Sequence, residues 1–213
     1  MVEADEPDQF DITKLTPLLT GDMVGGEGIK DPNVFLIGNM VYMLASYATT
    51  ESHLTLDERT VGHAGGDIYS TGLTRSRTGA AISGDGKRFQ WIGDVSPRSH
   101  YPILPSSPTP SWDNYCQRIG ALLPLETGGY LAFYDGGASV EDNYEEKTGL
   151  ATTFDLRTYY SLSPDAPALR SPHSSGSLRY VDVLPVGYEL FYYYEIANPS
   201  GAHELRVSVM ERS

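Results

Sequence analysis

The sequence predicts an all-β protein of the β-propeller type, and three observations predict it. A hairpin spans Gly28 to Tyr47, GIKDPNVFLIGNMVYMLASY: an Asp-Pro step opens an apolar run, Gly-Asn turns the chain, and a run of β-branched and aromatic residues returns. The pattern recurs at Arg118 to Asp135, RIGALLPLETGGYLAFYD, and at Arg179 to Glu195, RYVDVLPVGYELFYYYE. A second hairpin type follows the first two copies, at TGAAISGDGKRFQWIGDV from Thr78 and at TGLATTFDLRTYYSL from Thr148. Two hairpins per unit, repeated in the same order, are what a four-stranded propeller blade requires. A sandwich built of unrelated hairpins is the competing architecture.

Taken in order, residues 1–27 are an acidic leader in which KLTPLLTG is expected to form a short strand, the end of a preceding unit. Propeller blades then occupy 28–213, with units at about 28–95, 112–165 and 178–213. The third unit has its hairpin at 179 and a closing strand in HELRVSVMER. The segment Thr49 to Arg77 is polar and lacks an apolar period, as expected of a loop that covers a functional mouth. Pro-rich connectors, Ser96 to Ser111 and Ser163 to Ser177, are expected to run over the surface between blades. Propellers close with about four to eight blades, so with three recognisable units either further units are too divergent to see, or the propeller is incomplete in this chain and belongs to a longer one, or two chains of a homo-oligomer complete it.

Composition narrows the function. With 213 residues the chain can bury one large core, and its 22 Gly, 14 Pro and 15 Tyr fit short strands between turns. A formal net charge of -13 argues against nucleic acid or an anionic membrane as partner, because phosphate binding needs clustered Lys and Arg. A neutral oligosaccharide is compatible with that charge. Cys116, the single cysteine, excludes an internal disulfide and a Cys-based zinc site, and a small buried role is expected for it. MVEADEPDQF has neither the basic start nor the apolar core of a signal peptide, so a cytoplasmic location is expected, although a removed leader would leave the same sequence.

In a propeller blade the start of the innermost strand and the end of the second meet beside the central channel. That rule places Asp31, Arg118 and Arg179 at strand starts, and Tyr47, Asp135 and Glu195 at strand ends, around one mouth. Converging carboxylates suit glycosidic bond cleavage, in which one acid protonates the leaving oxygen and the other acts as nucleophile or activates water. The two need different surroundings to hold different protonation states. Glu195, behind the aromatic run from Phe191 to Tyr194, is the expected general acid, with a structural bridge to Arg179 or Arg206 as the competing role, and Asp31 is the base or nucleophile. Asp135 is the third carboxylate, holding substrate hydroxyls or tuning its neighbour. Trp112 and Asp113 offer a stacking face beside a carboxylate; Arg118, Arg179, Tyr194 and His203 complete the expected substrate contacts. In the 49–77 segment, His53, His63 and Asp67 are further candidates. No organic cofactor is expected, and the oxygen-rich run Glu141 to Glu146 leaves a structural calcium ion as an option, without EF-hand spacing.

These same segments resemble a known family. KDPNVFLIGNMVYMLASY is similar to the Asp-Pro blade opening of the five-bladed propeller glycoside hydrolases, the superfamily of arabinanases, β-xylosidases, levansucrases and invertases, with the mannoside phosphorylases as relatives. TGAAISGDGKRFQWIGDV and TGLATTFDLRTYYSL resemble its outer-strand motif, a small-residue strand followed by Ser-x-Asp-Gly and an aromatic. The resemblance implies three acids in a central funnel, with Asp31 matching either the catalytic base or the auxiliary aspartate. The third unit departs from the family, opening with Leu178-Arg179-Tyr180 where glutamic acid-Gly-Pro of the general acid is common. The expected function is glycosidase-like cleavage of an oligosaccharide; the alternatives are a non-catalytic carbohydrate-binding or assembly module, or a fragment of a longer propeller enzyme.

Overall fold

The computed structural model describes residues 1–49, 54–92, 102–105 and 110–212. His53 and most of the 96–111 connector lie outside them. Among the described residues, eleven strands form three antiparallel meanders. The first is β1 (Gly28–Ile37), β2 (Met40–Ala48), β3 (Ser76–Ser83) and β4 (Gln90–Ile92); the second is β5 (Cys116–Pro124), β6 (Tyr130–Gly137), β7 (Lys147–Thr153) and β8 (Tyr160–Ser161). The third has β9 (Leu178–Val186), β10 (Glu189–Ala197) and β11 (His203–Glu211). A single parallel contact, Ser76 opposite Cys116, joins the first two blades along the channel edge. The architecture is the β-propeller that the repeats predict.

The turn chemistry explains why the hairpins close where they do. β1–β2 and β9–β10 each turn through two residues whose first is a glycine at φ 60°, Gly38 and Gly187, a left-handed conformation that costs glycine nothing. The outer hairpins close on a side-chain bracket. Asp85 accepts from the Lys87 and Arg88 amides at 2.9 and 2.8 Å, and Asp155 accepts from the Arg157 and Thr158 amides at 2.8 Å. Each hairpin also needs one glycine for clearance. A Cβ on Gly79 would lie 2.1 Å from the Trp91 ring, and one on Gly149 2.2 Å from Tyr134.

Blades pack face to face through two apolar clusters. Between the first and second lie Tyr42, Leu44, Ile119, Leu122, Tyr134 and Tyr159; between the second and third lie Leu123, Phe133, Val181 and Val183. Each side chain of this size, fully buried, stabilises by about 1.5–3 kcal/mol relative to exposure. Hydrogen bonds tie the same junctions: Thr78 Oγ1 donates to Gln117 O at 2.9 Å, and Thr148 Oγ1 to Leu178 O at 2.7 Å. Thr78 and Thr148 hold the same register position, opposite Ser46 and Asp135. The far face of the third blade leaves Leu184, Val186, Tyr193, Leu205, Val207 and Val209 exposed.

Three expectations about the connections need correction. KLTPLLTG forms no strand; the leader holds a 3-10 turn at Ile12–Lys14 and one helical turn, α1 (Gly21–Val24). The 49–77 segment contains α2 (Leu56–Ala64), whose Thr55 and Glu58 close a reciprocal capping box. Its apolar residues Leu56 and Val61 are exposed; the helix approaches Ile68 and Leu73 closely at the buried Gly62, and Arg59 and His63 grip the buried Glu27, at 2.7 and 2.9 Å. Lastly, the first connector does not stay on the surface. Ile103 and Leu104 are buried in the first interblade cluster, with Ile103 N donating to Thr78 O and Ile103 O accepting from Tyr159 N.

Candidate active site

Where the three inner strands reach the channel, each carries a bulge at the same register. In β1, Asp31 and Pro32 stand between the pairs Lys30–Ser46 and Asn33–Leu44. In β5 the bulge falls between Ile119 and Ala121, and in β9 Tyr180 and Val181 stand between Arg179–Glu195 and Asp182–Tyr193. Asp31 and Tyr180 adopt the left-handed region, at φ 51° and 53°. Aspartate tolerates that conformation and a bulky tyrosine does not, so the backbone at Tyr180 is strained, the kind of feature that marks ligand sites.

The bulges converge on a cleft of about 260 Å³, lined by Asp31, Pro32, Asn33, Ser46, Arg118, Ile119, Gly120, Asp135, Tyr180, Val181 and Asp182. Of the residues expected at the mouth, the cleft thus gathers Asp31, Arg118 and Asp135. Asp31 is solvent-exposed, with Lys30 Nζ 3.9 Å away. Asp135 is only 6% exposed; its Oδ1 accepts from Tyr180 N at 2.9 Å. In the preceding junction the equivalent amide, Ile119 N, donates to Thr78 Oγ1 at 2.8 Å, so Asp135 has taken over a threonine's structural bond. Burial pushes the Asp135 carboxyl up to about 7; Arg118 opposes that rise and the carboxylate of Glu146 adds to it.

Behind the cleft lies an ionic relay. Glu146, fully buried, accepts from Arg118 Nη2 through Oε1 and from Arg179 Nη1 through Oε2, the latter at 3.1 Å. Arg179 turns its Nε and Nη2 to Glu195, at 3.2 and 3.1 Å. Arg118 is 4% exposed, and its Nε and Nη1 have no hydrogen-bond partner among the described residues. An unmatched buried donor is costly, so this guanidinium is held in place at an energetic cost.

Other expected residues lie elsewhere. Glu195 is outside the cleft lining, engaged by Arg179, itself placed behind the wall. Trp112 stacks on Tyr134 at 5.7 Å and donates Nε1–H to Ser163 O, lining a separate surface hollow with Lys147 and Arg170. Asp113 is fully buried and accepts from Gln117 Nε2 and Tyr134 OH at 2.9 and 3.0 Å, which is structural work. The Tyr194 hydroxyl meets Ser208 Oγ at 3.0 Å, His203 pairs with Glu145 at 3.3 Å, and Tyr47 is buried against Trp91. Asp67 accepts from Tyr144 OH at 2.7 Å, tying the 49–77 segment to the second blade. Cys116 is buried, and desolvation pushes its thiol up to about 12. In the run from Glu141 to Glu146, Asp142 pairs with Lys147, Glu145 with His203 and Glu146 with the two arginines. Among the described residues no three acidic, histidine or cysteine side chains gather as a metal site.

Asp182 and Glu146 are the functional candidates that sequence reasoning missed. Asp182 shares the register position of Asn33, three residues after a strand-start cation in each case, and that offset was readable from the repeats.

No family model and no curated protein matches the sequence. Solved structures do match in fold. A family 117 glycoside hydrolase from the marine bacterium Zobellia galactanivorans superposes with a TM-score of 0.57 at 13% identity over 87% of this chain and 53% of its own. The β-1,2-mannobiose phosphorylase of Listeria innocua, in complex with β-1,2-mannobiose, gives 0.52 at 16%, over 87% and 46%. A family 32 β-fructofuranosidase of Bombyx mori, in complex with sucrose, gives 0.52 at 14%, over 84% and 33%. The fold is therefore the propeller that glycoside hydrolases carry, and the chain spans about half or less of each of these neighbours. No helix among the described residues is long and apolar enough to cross a membrane.

Proposed function

We propose that the cleft cleaves a glycosidic bond in an oligosaccharide, with Asp135 as general acid and Asp31 as base or nucleophile. The observation that carries this reading is the contrast within one cleft between a buried carboxyl raised to about 7 and an exposed carboxylate. An acid must hold its proton near neutral pH while its partner faces water or substrate, and such a pair divides those roles. Glu195 passes the acid role to Asp135, because a carboxylate clamped by Arg179 away from the cleft has no leaving group to protonate. Arg118, Asn33 and Asp182 would hold sugar hydroxyls. The likeness in fold to glycoside hydrolases supports the substrate class. A second reading, a carbohydrate-binding module, is favoured by the engagement of Glu195 in an ion pair.

A panel of aryl glycosides of neutral pentoses and hexoses tests the proposal, with wild type, Asp135→Asn and Asp31→Asn. Removing the acid or its partner is expected to lower turnover by about 10²–10⁴-fold. Wild-type binding of the same sugars without turnover would establish the binding module, and turnover unaffected by either substitution would remove both aspartates from the chemistry.

A further inference from the structure

We propose that Glu146 is the positioning residue of the cleft: it holds the Arg118 guanidinium away from Asp135, so that Asp135 remains open to a ligand. The inference rests on the reading of Asp135 as the acid. Arg118 and Asp135 are register partners at the channel end of the second blade, as Arg179 and Glu195 are in the third. The third-blade pair closes on itself through two guanidinium nitrogens, whereas the second-blade pair forms no ion pair. What differs is how each arginine divides its nitrogens: Arg179 gives Nη1 to Glu146 and keeps Nε and Nη2 for Glu195, whereas Arg118 gives Nη2 to Glu146 and turns none to Asp135. Glu146 draws Arg118 Nη2 to its Oε1, which also accepts from Tyr144 N at 3.0 Å. Its Oε2 takes Arg179, and its backbone carbonyl accepts from Leu178 N and Ser177 Oγ, at 3.2 and 3.0 Å. A side chain fixed at both oxygens and at its own backbone can hold a guanidinium that leaves two of its nitrogens unmatched.

The first blade shows that the device is particular to one junction. Two residues before Thr78, the position equivalent to Glu146 is Ser76; Lys30 stands for Arg118 and Ser46 for Asp135. The groups that face Asp135 are Arg118 and Cys116 from β5, Glu146 from the segment before β7, and Arg179 and the Tyr180 amide from β9; Asp31 and Asp182 line the cleft with it. Removing the Glu146 charge subtracts an anion near Asp135 and frees Arg118 to reach its register partner. Both changes favour the ionised carboxylate.

Carboxyl ¹³C NMR titration of the labelled chain reads this directly, with Asp135 assigned by its disappearance in Asp135→Asn. Glu146→Gln is expected to lower the Asp135 midpoint by about one to three pH units, while Glu146→Asp and Glu195→Gln move it by less than about half a unit. An unchanged midpoint in Glu146→Gln, or an equal shift in Glu195→Gln, overturns the proposal. Arg118→Gln serves if Glu146→Gln does not fold: losing the cation while Glu146 stays must raise the midpoint, and a fall or no change counts against the proposal. The titration needs no turnover. A chain that hydrolyses no glycoside but shows this pattern keeps the role of Glu146 and loses the enzymatic reading; turnover without the pattern does the opposite.

Discussion

The second and third blades carry the same device at the channel, an arginine at the start of the inner strand opposite an acid at the end of the next, yet one is open and the other closed. Arg179 and Glu195 bond through two nitrogens, with Glu195 half-buried. Arg118 and Asp135 do not bond; the acid is one methylene shorter, almost fully buried, and lines the cleft. A structural ion pair and a candidate acid thus differ by one carbon and by how each arginine divides itself: both give a nitrogen to Glu146, but only Arg179 turns its other two to its register partner. Position in the repeat makes a residue available to the site, and its neighbours decide what it does there.

The largest effect expected from disturbing this contrast is on stability. Glu146→Ala strands two buried guanidinium groups and should cost about 3–5 kcal/mol in urea denaturation, whereas Glu195→Ala removes a carboxylate that is a third exposed, leaves Arg179 still paired with Glu146, and should cost about 1 kcal/mol or less. Equal losses would mean that the buried triad is not the stronger element.

Protonation of Asp135 gives a pH signature. Its folded-state value is raised above the unfolded value near 3.8 to about 7, so the native state binds the extra proton between those limits. Stability from this group is present at the acid end and lost as pH rises from about 4 to 7, by about 4 kcal/mol at most at about 1.4 kcal/mol per unit. Asp135→Asn should therefore gain stability relative to wild type between pH 5 and pH 8 in thermal melts. A difference independent of pH would place the carboxyl in the ordinary range.

Exchanging the two acids sharpens the comparison. Asp135→Glu adds the methylene that lets the pair close on Arg118, and turnover of a responsive aryl glycoside should fall by about 10²-fold or more. Glu195→Asp opens the structural pair instead; it should leave turnover within about threefold and cost about 0.5–1.5 kcal/mol, the net value of a hydrogen bond.

Much of the fold was legible because hairpins announce themselves locally. Gly38-Asn39 and Gly187-Tyr188 turn between apolar and aromatic runs, and the Ser-x-Asp-Gly bracket fixes Asp85. The strand-end rule likewise brought Asp31, Arg118 and Asp135 to one place. What stayed hidden depends on contacts remote in sequence. Glu145 and Glu146 are adjacent in an acidic run, yet Glu145 reaches the exposed Ser175 and the partly buried His203 while Glu146 points at two arginines 28 and 33 residues away. Nothing local separates them. Glu195 was assigned the acid role by the apolar residues before it, but along a strand those alternate faces; the competing expectation, a bridge to Arg179 on the adjacent strand, is the one the structure shows. The capping box at Thr55 and Glu58 was readable in TLDE and would have revealed α2 inside an otherwise aperiodic stretch.

The most direct measurement is the titration of the Asp135 side chain in the wild-type chain, by carboxyl ¹³C NMR from pH 3 to 9. A midpoint near 7 is expected from its burial beside Glu146. A midpoint at the ordinary aspartate value of about 3.9 would contradict it, since a carboxyl already ionised at neutral pH has no proton to give a leaving group.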